Sequence, residues 1–215
     1  MTDQEPDSGE RVAHWESVYQ RNRTDSVSWY QTAPVVSLDL IDDLGISEEA
    51  GVIDVGGGAS VLVGALLHRG FADLTVLDIS EAALQASRAR VGASASVDWI
   101  AHDLLTWKPK RRYDLWHDRA VFHFLSRNEV EVYRNLLHHA VAPAGCVVMA
   151  TFAPDGPEWC SGLPVTRYSA EQLGEALGGE FIVVEQRREV HTTPNGATQP
   201  FTWIAARRVS DSQTD

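Results

Sequence analysis

Lysine is nearly absent from this chain: Lys108 and Lys110 are the only two, and arginine carries the remaining positive charge. Cysteine is as sparse, with Cys146 and Cys160 alone. That excludes a disulfide framework or a structural zinc site and points to a reducing compartment. Basic residues as a whole are short, 18 against 30 acidic ones, for a formal net charge of −12. A surface that negative repels phosphate backbones, so a dedicated DNA or RNA role is set aside and no nucleic-acid partner is expected. No apolar run approaches the roughly 20 residues of a membrane span. The opening MTDQEPDSGE lacks the basic-then-apolar layout of a signal peptide, so no membrane partner is expected and the expected location is cytoplasmic. What the chain does have is apolar residues, 44% of 215, enough to bury the core of one domain. The plentiful alanine and arginine suggest a GC-rich bacterial gene.

Residues 1–9 and 209–215 are polar and without periodicity, and read as loose, disordered tails around a single domain spanning 10–208. Within 10–45, Val12, Trp15, Val18 and Tyr19 recur at helical spacing, and Val35, Leu38, Ile41 and Leu44 form a second stripe between Pro34 and Gly45. From Gly51 the pattern changes to short apolar runs alternating with amphipathic stretches. The predicted strands are 51–55, 74–78, 97–103, 113–118, 146–152, 181–190 and 198–207, the last two joined through the turn signal Pro194-Asn195-Gly196. Helices are predicted to Gly70, over 81–91, over 128–142, and after Ser169, whose side chain with Gln172 makes a capping pair. This alternation predicts an α/β fold: a doubly wound, Rossmann-like, seven-stranded and mostly parallel sheet with a C-terminal antiparallel hairpin and helices on both faces.

Asp54-Val55-Gly56-Gly57-Gly58-Ala59-Ser60 follows the first strand and opens the first helix of that core. Glycines there let the backbone turn tightly and approach a ligand with no Cβ in the way. Asp78 ends the second strand, where a carboxylate accepts both ribose hydroxyls of a nucleoside, and Asp103 ends the third, where one accepts from an adenine amine. A dinucleotide site wants a third glycine where Val61 stands, and Asp54 would lie beside a pyrophosphate. A carboxylate in that place suits a cationic amino group instead, so the donor set points to S-adenosylmethionine.

On these motifs the chain resembles the class I S-adenosylmethionine-dependent methyltransferases, from about Val12 to Arg208. The resemblance implies that VIDVGGGAS is the glycine-rich first motif, with Asp54, Gly56, Gly57 and Gly58 at the cofactor. It implies Asp78 on the ribose and Ile79 against the adenine, and Asp103 and Leu104 at the adenine's other side. Ala142-Pro143-Ala144-Gly145 is similar to the family's turn before the fifth strand. The segment Trp116 to Phe124 resembles the Asp-Arg-Gly stretch of the thiopurine S-methyltransferase-like branch and of several protein-lysine methyltransferases, with Ala120 in place of the glycine. The N-terminal WESVY and SWYQ segments resemble the lid of the thiopurine-like branch, nearest among small-molecule methyltransferases, which would put Trp15, Tyr19 and Trp29 over the cofactor. Trp15 and Tyr19 read equally as the core stripe of a helix.

The acceptor is expected beyond the fourth strand. His117, Asp118, Arg119 and His123 are the catalytic candidates, His117 also beside the cofactor; both histidines read equally as half-buried rings, and Asp118 and Arg119 as a mutual ion pair. Tyr30, Arg119, Arg167 and Tyr168 are the substrate-binding candidates, the last two from the Gly- and Pro-rich loop 153–169. No carboxylate cluster for a metal is apparent, and the Asn/Asp-Pro-Pro-Tyr/Phe motif of base and amide methylation is missing. The expectation is methyl transfer by in-line displacement to an S, N or O nucleophile of a small molecule, for which Arg119 and Arg167 suggest an anionic group, by a monomer or homodimer. Protein-lysine methylation and nucleotide binding without catalysis stand as alternatives.

Overall fold

The computed structural model describes residues 7–92 and 95–209. Of the expected tails, 1–6 and 210–215 lie outside the described residues, whereas 7–9 belong to the first helix. There Asp7 accepts from the Glu10 N–H at 2.9 Å while the Glu10 carboxylate accepts from the Asp7 N–H, so the chain is capped and helical from Ser8. Helices α1 (Ser8–Arg21) and α2 (Val35–Asp43) precede the alternating core of β1 (Val52–Val55), α3 (Leu62–His68), β2 (Leu74–Asp78), α4 (Glu81–Val91), β3 (Val97–Ala101) and β4 (Tyr113–Arg119). The core continues through α5 (Arg127–Ala140), β5 (Val141–Phe152), the short strands β6 (Trp159–Cys160) and β7 (Leu163–Pro164), α6 (Ala170–Leu177), β8 (Phe181–Thr192) and β9 (Thr198–Arg208).

The seven long strands lie in the order β3-β2-β1-β4-β5-β9-β8, with β9 antiparallel to both its neighbours and the first five parallel. Period-2 alternation divides the core between the two faces. Val52, Leu115, Val148 and Ala205 pack under α2 and α3, whereas Ile53, Trp116, Val147 and Ala206 pack under α5 and α6. Strand order reverses between β1 and β4, so their carboxyl ends open the crevice in which such sheets hold ligands.

Three boundaries differ from expectation. Helix α5 stops at Ala140 and β5 begins at once, because the pairing jumps from Tyr113↔Val141 to Leu115↔Cys146 and the intervening Ala-Pro-Ala-Gly turn is absorbed as an irregularity within the strand. Strand β3 ends at Ala101, which leaves Asp103 in the turn beyond it, where its Oδ1 accepts from the Leu105 N–H. The loop 153–169 carries the β6–β7 hairpin, so it is a folded flap rather than a plain connection.

Candidate active site

At the switch point a cleft runs between the strand ends and α1. Its floor is Val55, Gly56 and Leu77; one end holds Asp78, Ile79, Asp103 and Leu104, and its cover is Trp15, Tyr19 and Trp29. A smaller recess, lined by Asp54, Gly57, Tyr30 and His117 among others, shares Gly56, Trp29 and Arg119 with the cleft. The two spaces therefore meet around the glycine turn.

That turn needs its glycines. Gly56 has φ +65°, and a Cβ there would stand 2.1 Å from Cγ2 of Val121. A Cβ on Gly58 would meet the Asp78 carboxylate at 2.6 Å. With the Cβ missing, Asp78 accepts from the Gly58 N–H at 2.9 Å and from the Ser80 N–H at 2.8 Å. Burial raises its pKa to about 6, against the lowering effect of those two bonds. Asp103 behaves oppositely. Burial acts to raise it, but bonds from Ser8, Arg11 and the Leu105 backbone hold it below the usual carboxylate range.

Helix α1 is held over the Asp78–Asp103 end by two contacts. Arg11 donates through Nε and Nη2 to Asp103 at 3.0 and 2.7 Å and through Nη1 to Glu129 at 3.2 Å. Glu16 accepts from the Glu81 and Ala82 N–H groups at the N-terminus of α4, where a carboxylate is favoured. Arg11, Trp15 and Tyr19 recur every fourth residue on one face. Trp15 and Tyr19 belong to the stripe that the sequence predicts; Arg11, one turn before Trp15, is a charged residue on that line and is not part of the apolar pattern.

At the other end, His117 bridges the layers. Its Nδ1 bonds Oδ1 of Asp54 at 2.7 Å and its Nε2 bonds the Ser37 hydroxyl of α2 at 2.9 Å. A Ser-His-Asp line of this kind suggests nucleophilic catalysis, but Ser37 is buried and lines neither space. Its consequence is positional: one Asp54 oxygen is fixed, and Oδ2 is buried with no partner. Both ring nitrogens of His117 are engaged, so it is not poised as a free base.

The structure places several expected residues away from the cleft. Asp118 is turned to the α5 face, as alternation along β4 requires, where it accepts from Tyr133 at 2.7 Å and from the Val121 and Phe122 N–H groups; it does not pair with Arg119. His123 is fully buried between Phe124 and Phe152, and burial together with the nearby Arg119 charge pushes its pKa down to about 3, so it stays neutral. Arg167 bonds Gly156 O and Glu158, and Tyr168 packs on Phe122. The flap's contribution to the cleft is instead Cys160, whose thiol burial pushes up to about 11. Tyr30 faces the smaller recess. Phe124, Phe152 and Phe201 complete the aromatic wall; of these, Phe201 comes from β9 and has no local sequence signal.

The donor set fits a nucleoside with a cationic tail: a carboxylate at the ribose position beside a glycine cradle, and an unpartnered carboxylate oxygen where an ammonium would sit. Among the described residues no helix is long and apolar enough to cross a membrane, and no group of three or more His, Cys, Asp or Glu has the geometry to hold a metal.

Comparison with known proteins bears on the domain and the fold. Residues 52–145 match the methyltransferase domain family. Malonyl-[acyl-carrier protein] O-methyltransferase 2 of Ilyobacter polytropus is 23% identical over 141 residues, 63% of this chain and 54% of the relative. The chain thus spans about half the length of the curated relatives it matches. The 1,6-didemethyltoxoflavin-N1-methyltransferase of Burkholderia thailandensis, solved with its substrate and S-adenosylhomocysteine, superposes with a TM-score of 0.74 at 21% identity over 98% of this chain and 94% of that one. A methyltransferase of Anabaena variabilis superposes at 0.72 with 17% identity, over 92% and 95%. At these identities the superpositions establish the fold.

Proposed function

From a chain whose residues 52–145 match the methyltransferase domain family and whose fold is that of the solved methyltransferases, we infer an enzyme that methylates a small molecule. The observation that carries this reading is the placement of Asp78 and Asp103 in the cleft and of Asp54 in the recess that meets it at the glycine turn, with the buried Oδ2 of Asp54 left unpartnered. S-adenosylmethionine supplies an already activated methyl group when bound. Asp78 accepts the ribose hydroxyls, Ile79 and Leu104 flank the base, and Asp54 faces the ammonium. Trp15, Tyr19 and Trp29 offer aromatic faces to the sulfonium, each worth roughly 0.5–2 kcal/mol when desolvated. They also exclude water, so the chain's main task is to align the nucleophile.

A cleft covered by α1 and Trp29 suits a small acceptor better than a peptide, which needs an open groove. On this reading the chain stands nearest the thiopurine S-methyltransferase-like branch, and the methylated atom is an S, N or O nucleophile. A melting shift with S-adenosylhomocysteine and none with NAD is expected; the reverse refutes the cofactor assignment. Labelled S-adenosylmethionine, incubated with metabolite extract and separately with protein extract, should label the metabolite fraction. Label on polypeptide alone refutes the small-molecule acceptor.

A further inference from the structure

Arg119 ends β4 at the junction of the two spaces. Its guanidinium carbon lies 4.6 Å above the Phe201 ring, and Nη1 donates to Trp29 O at 3.0 Å. Nε and Nη2 are sealed from solvent and have no partner. Those two nitrogens form one edge of the guanidinium fork, the edge that grips a carboxylate with two parallel bonds. The same chain shows that use elsewhere: Arg23 gives Nε and Nη2 to the two oxygens of Asp25 at 3.0 and 2.8 Å.

At Arg119 no carboxylate oxygen bonds that edge. Of the two carboxylates whose charges act on it, Glu189 is committed to Gln31 and Trp203, and Asp54 gives one oxygen to His117 and bonds Arg119 with neither. Burial draws the Arg119 pKa down only to about 10, so the group stays charged at neutral pH. A desolvated cation with one fork edge empty is costly to fold, and such a cost persists where a ligand relieves it. The walls beside it are flat and apolar: Phe124, Phe152, Phe201 and Trp29.

We propose that Arg119 is the anion receptor for the methyl acceptor, and that the acceptor is a flat molecule bearing a carboxylate or similar oxyanion. The anion seats on Nε and Nη2 while the planar body lies between the aromatic walls. This rests on the methyltransferase reading for the word acceptor, though not for the anion. A lysine side chain, being cationic, is repelled from the same place, which turns the cleft against peptide-lysine substrates. The carboxylate of the cofactor's own amino-acid tail has the same chemistry, and the test separates the two.

Binding of salicylate, a flat monoanion, and of neutral salicylamide is measured by calorimetry with and without saturating S-adenosylhomocysteine, in wild type and Arg119→Gln. S-adenosylhomocysteine and methylthioadenosine, which lacks the amino-acid tail, are titrated in both proteins. Wild type should prefer salicylate roughly tenfold, the preference should vanish in Arg119→Gln, and both nucleosides should bind the two proteins equally. The unliganded variant should melt about 2–4 °C higher, because an unpaired buried charge has gone. Equal or undetectable binding of the two probes to wild type overturns the proposal, as does a lower melting point, which would mean a structural pairing. Loss of S-adenosylhomocysteine affinity with methylthioadenosine unaffected overturns it too, since the anion is then the cofactor's. If neither nucleoside binds wild type while the salicylate preference holds, the methyltransferase reading fails and the anion receptor stands.

Discussion

At the Asp78–Asp103 end of the cleft both carboxylates are already held: Asp78 by the Gly58 and Ser80 N–H groups, Asp103 by Arg11 and the Leu105 backbone. At the far end Asp54 and Arg119 keep buried atoms with no partner. The first arrangement fixes the geometry whether or not a ligand is present, and at Asp78 each oxygen accepts a single N–H and so retains a lone pair for a hydroxyl. The second is paid for in stability and is relieved by what binds. One end is therefore built for a constant ligand, and the other is left to be completed by its own.

The sharpest break in that comparison is at Asp78. Asp78→Ala should weaken S-adenosylhomocysteine by about 1–3 kcal/mol, the range for hydrogen bonds to a charged group, and an unchanged Kd from calorimetry would displace Asp78 from the ribose. Its pH behaviour is a second handle. The native value of about 6 lies above the roughly 3.9 of an unfolded aspartate, so the folded protein binds more protons between those values. Asp78's contribution to stability therefore falls as pH rises through that window and is flat above it. Ligand binding runs the other way, because hydroxyls donate to the ionised form. Affinity should fall about tenfold per pH unit below about 6, and Asp78→Asn should flatten the slope.

Next in size is a change that should leave the ligand alone. Tyr133 donates to Asp118 at 2.7 Å and accepts from Trp116 at 2.8 Å, all three buried on the α5 face. Tyr133→Phe strands both partners and should cost about 1–3 kcal/mol of stability, read as a lower melting point. S-adenosylhomocysteine affinity should stay within about twofold, below the roughly 1.4 kcal/mol that a tenfold change represents. A larger loss would move Asp118 from the core into the site.

Smaller again is Ser37→Ala. It removes the hydroxyl on His117 Nε2, loosens the ring and so loosens Asp54, at about 0.5–1.5 kcal/mol of S-adenosylhomocysteine affinity. Methylthioadenosine has no ammonium for Asp54 to meet, so its affinity should not move, and Ser37→Thr should restore the loss. Equal weakening of both nucleosides would reduce Ser37 to a packing role.

The same contrast decides what could be read from the sequence. Asp54, the glycines, Asp78 and Asp103 sit within a few residues of strand ends, and strand ends are legible from apolar runs and turn residues. The far end is assembled from α2, β4, the flap and β9, which are distant in the chain. Ser37 looks like any polar residue on a helix, and Phe201 like any strand residue. Asp118 and Arg119 are neighbours whose side chains leave the sheet on opposite faces, so adjacency suggested a pair that the pleat forbids. His123 sits in a short 3₁₀ turn that buries it, an outcome that depends on Phe124 and Phe152 closing over it.

Ala120 carries the smallest effect and joins the two ends. It occupies the glycine place of the Asp-Arg-Gly stretch that its segment resembles, directly after Arg119, and its φ is +70°. That left-handed conformation costs an L-residue roughly 1–2 kcal/mol, and it turns the chain out of the sheet just after the Ala120 N–H has made its bond to Ala150 O at 2.9 Å. Glycine would remove the strain but lose more chain entropy on folding, about 0.5–1 kcal/mol. Ala120→Gly should therefore stabilise by only a few tenths to about 1 kcal/mol, seen as a small rise in melting temperature. The methyl group also lines the cleft beside Arg119. Removing it widens the acceptor side and leaves the nucleoside contacts untouched, so methylthioadenosine should bind as before. A fall in melting temperature would show that the methyl packs usefully enough to outweigh its own backbone strain.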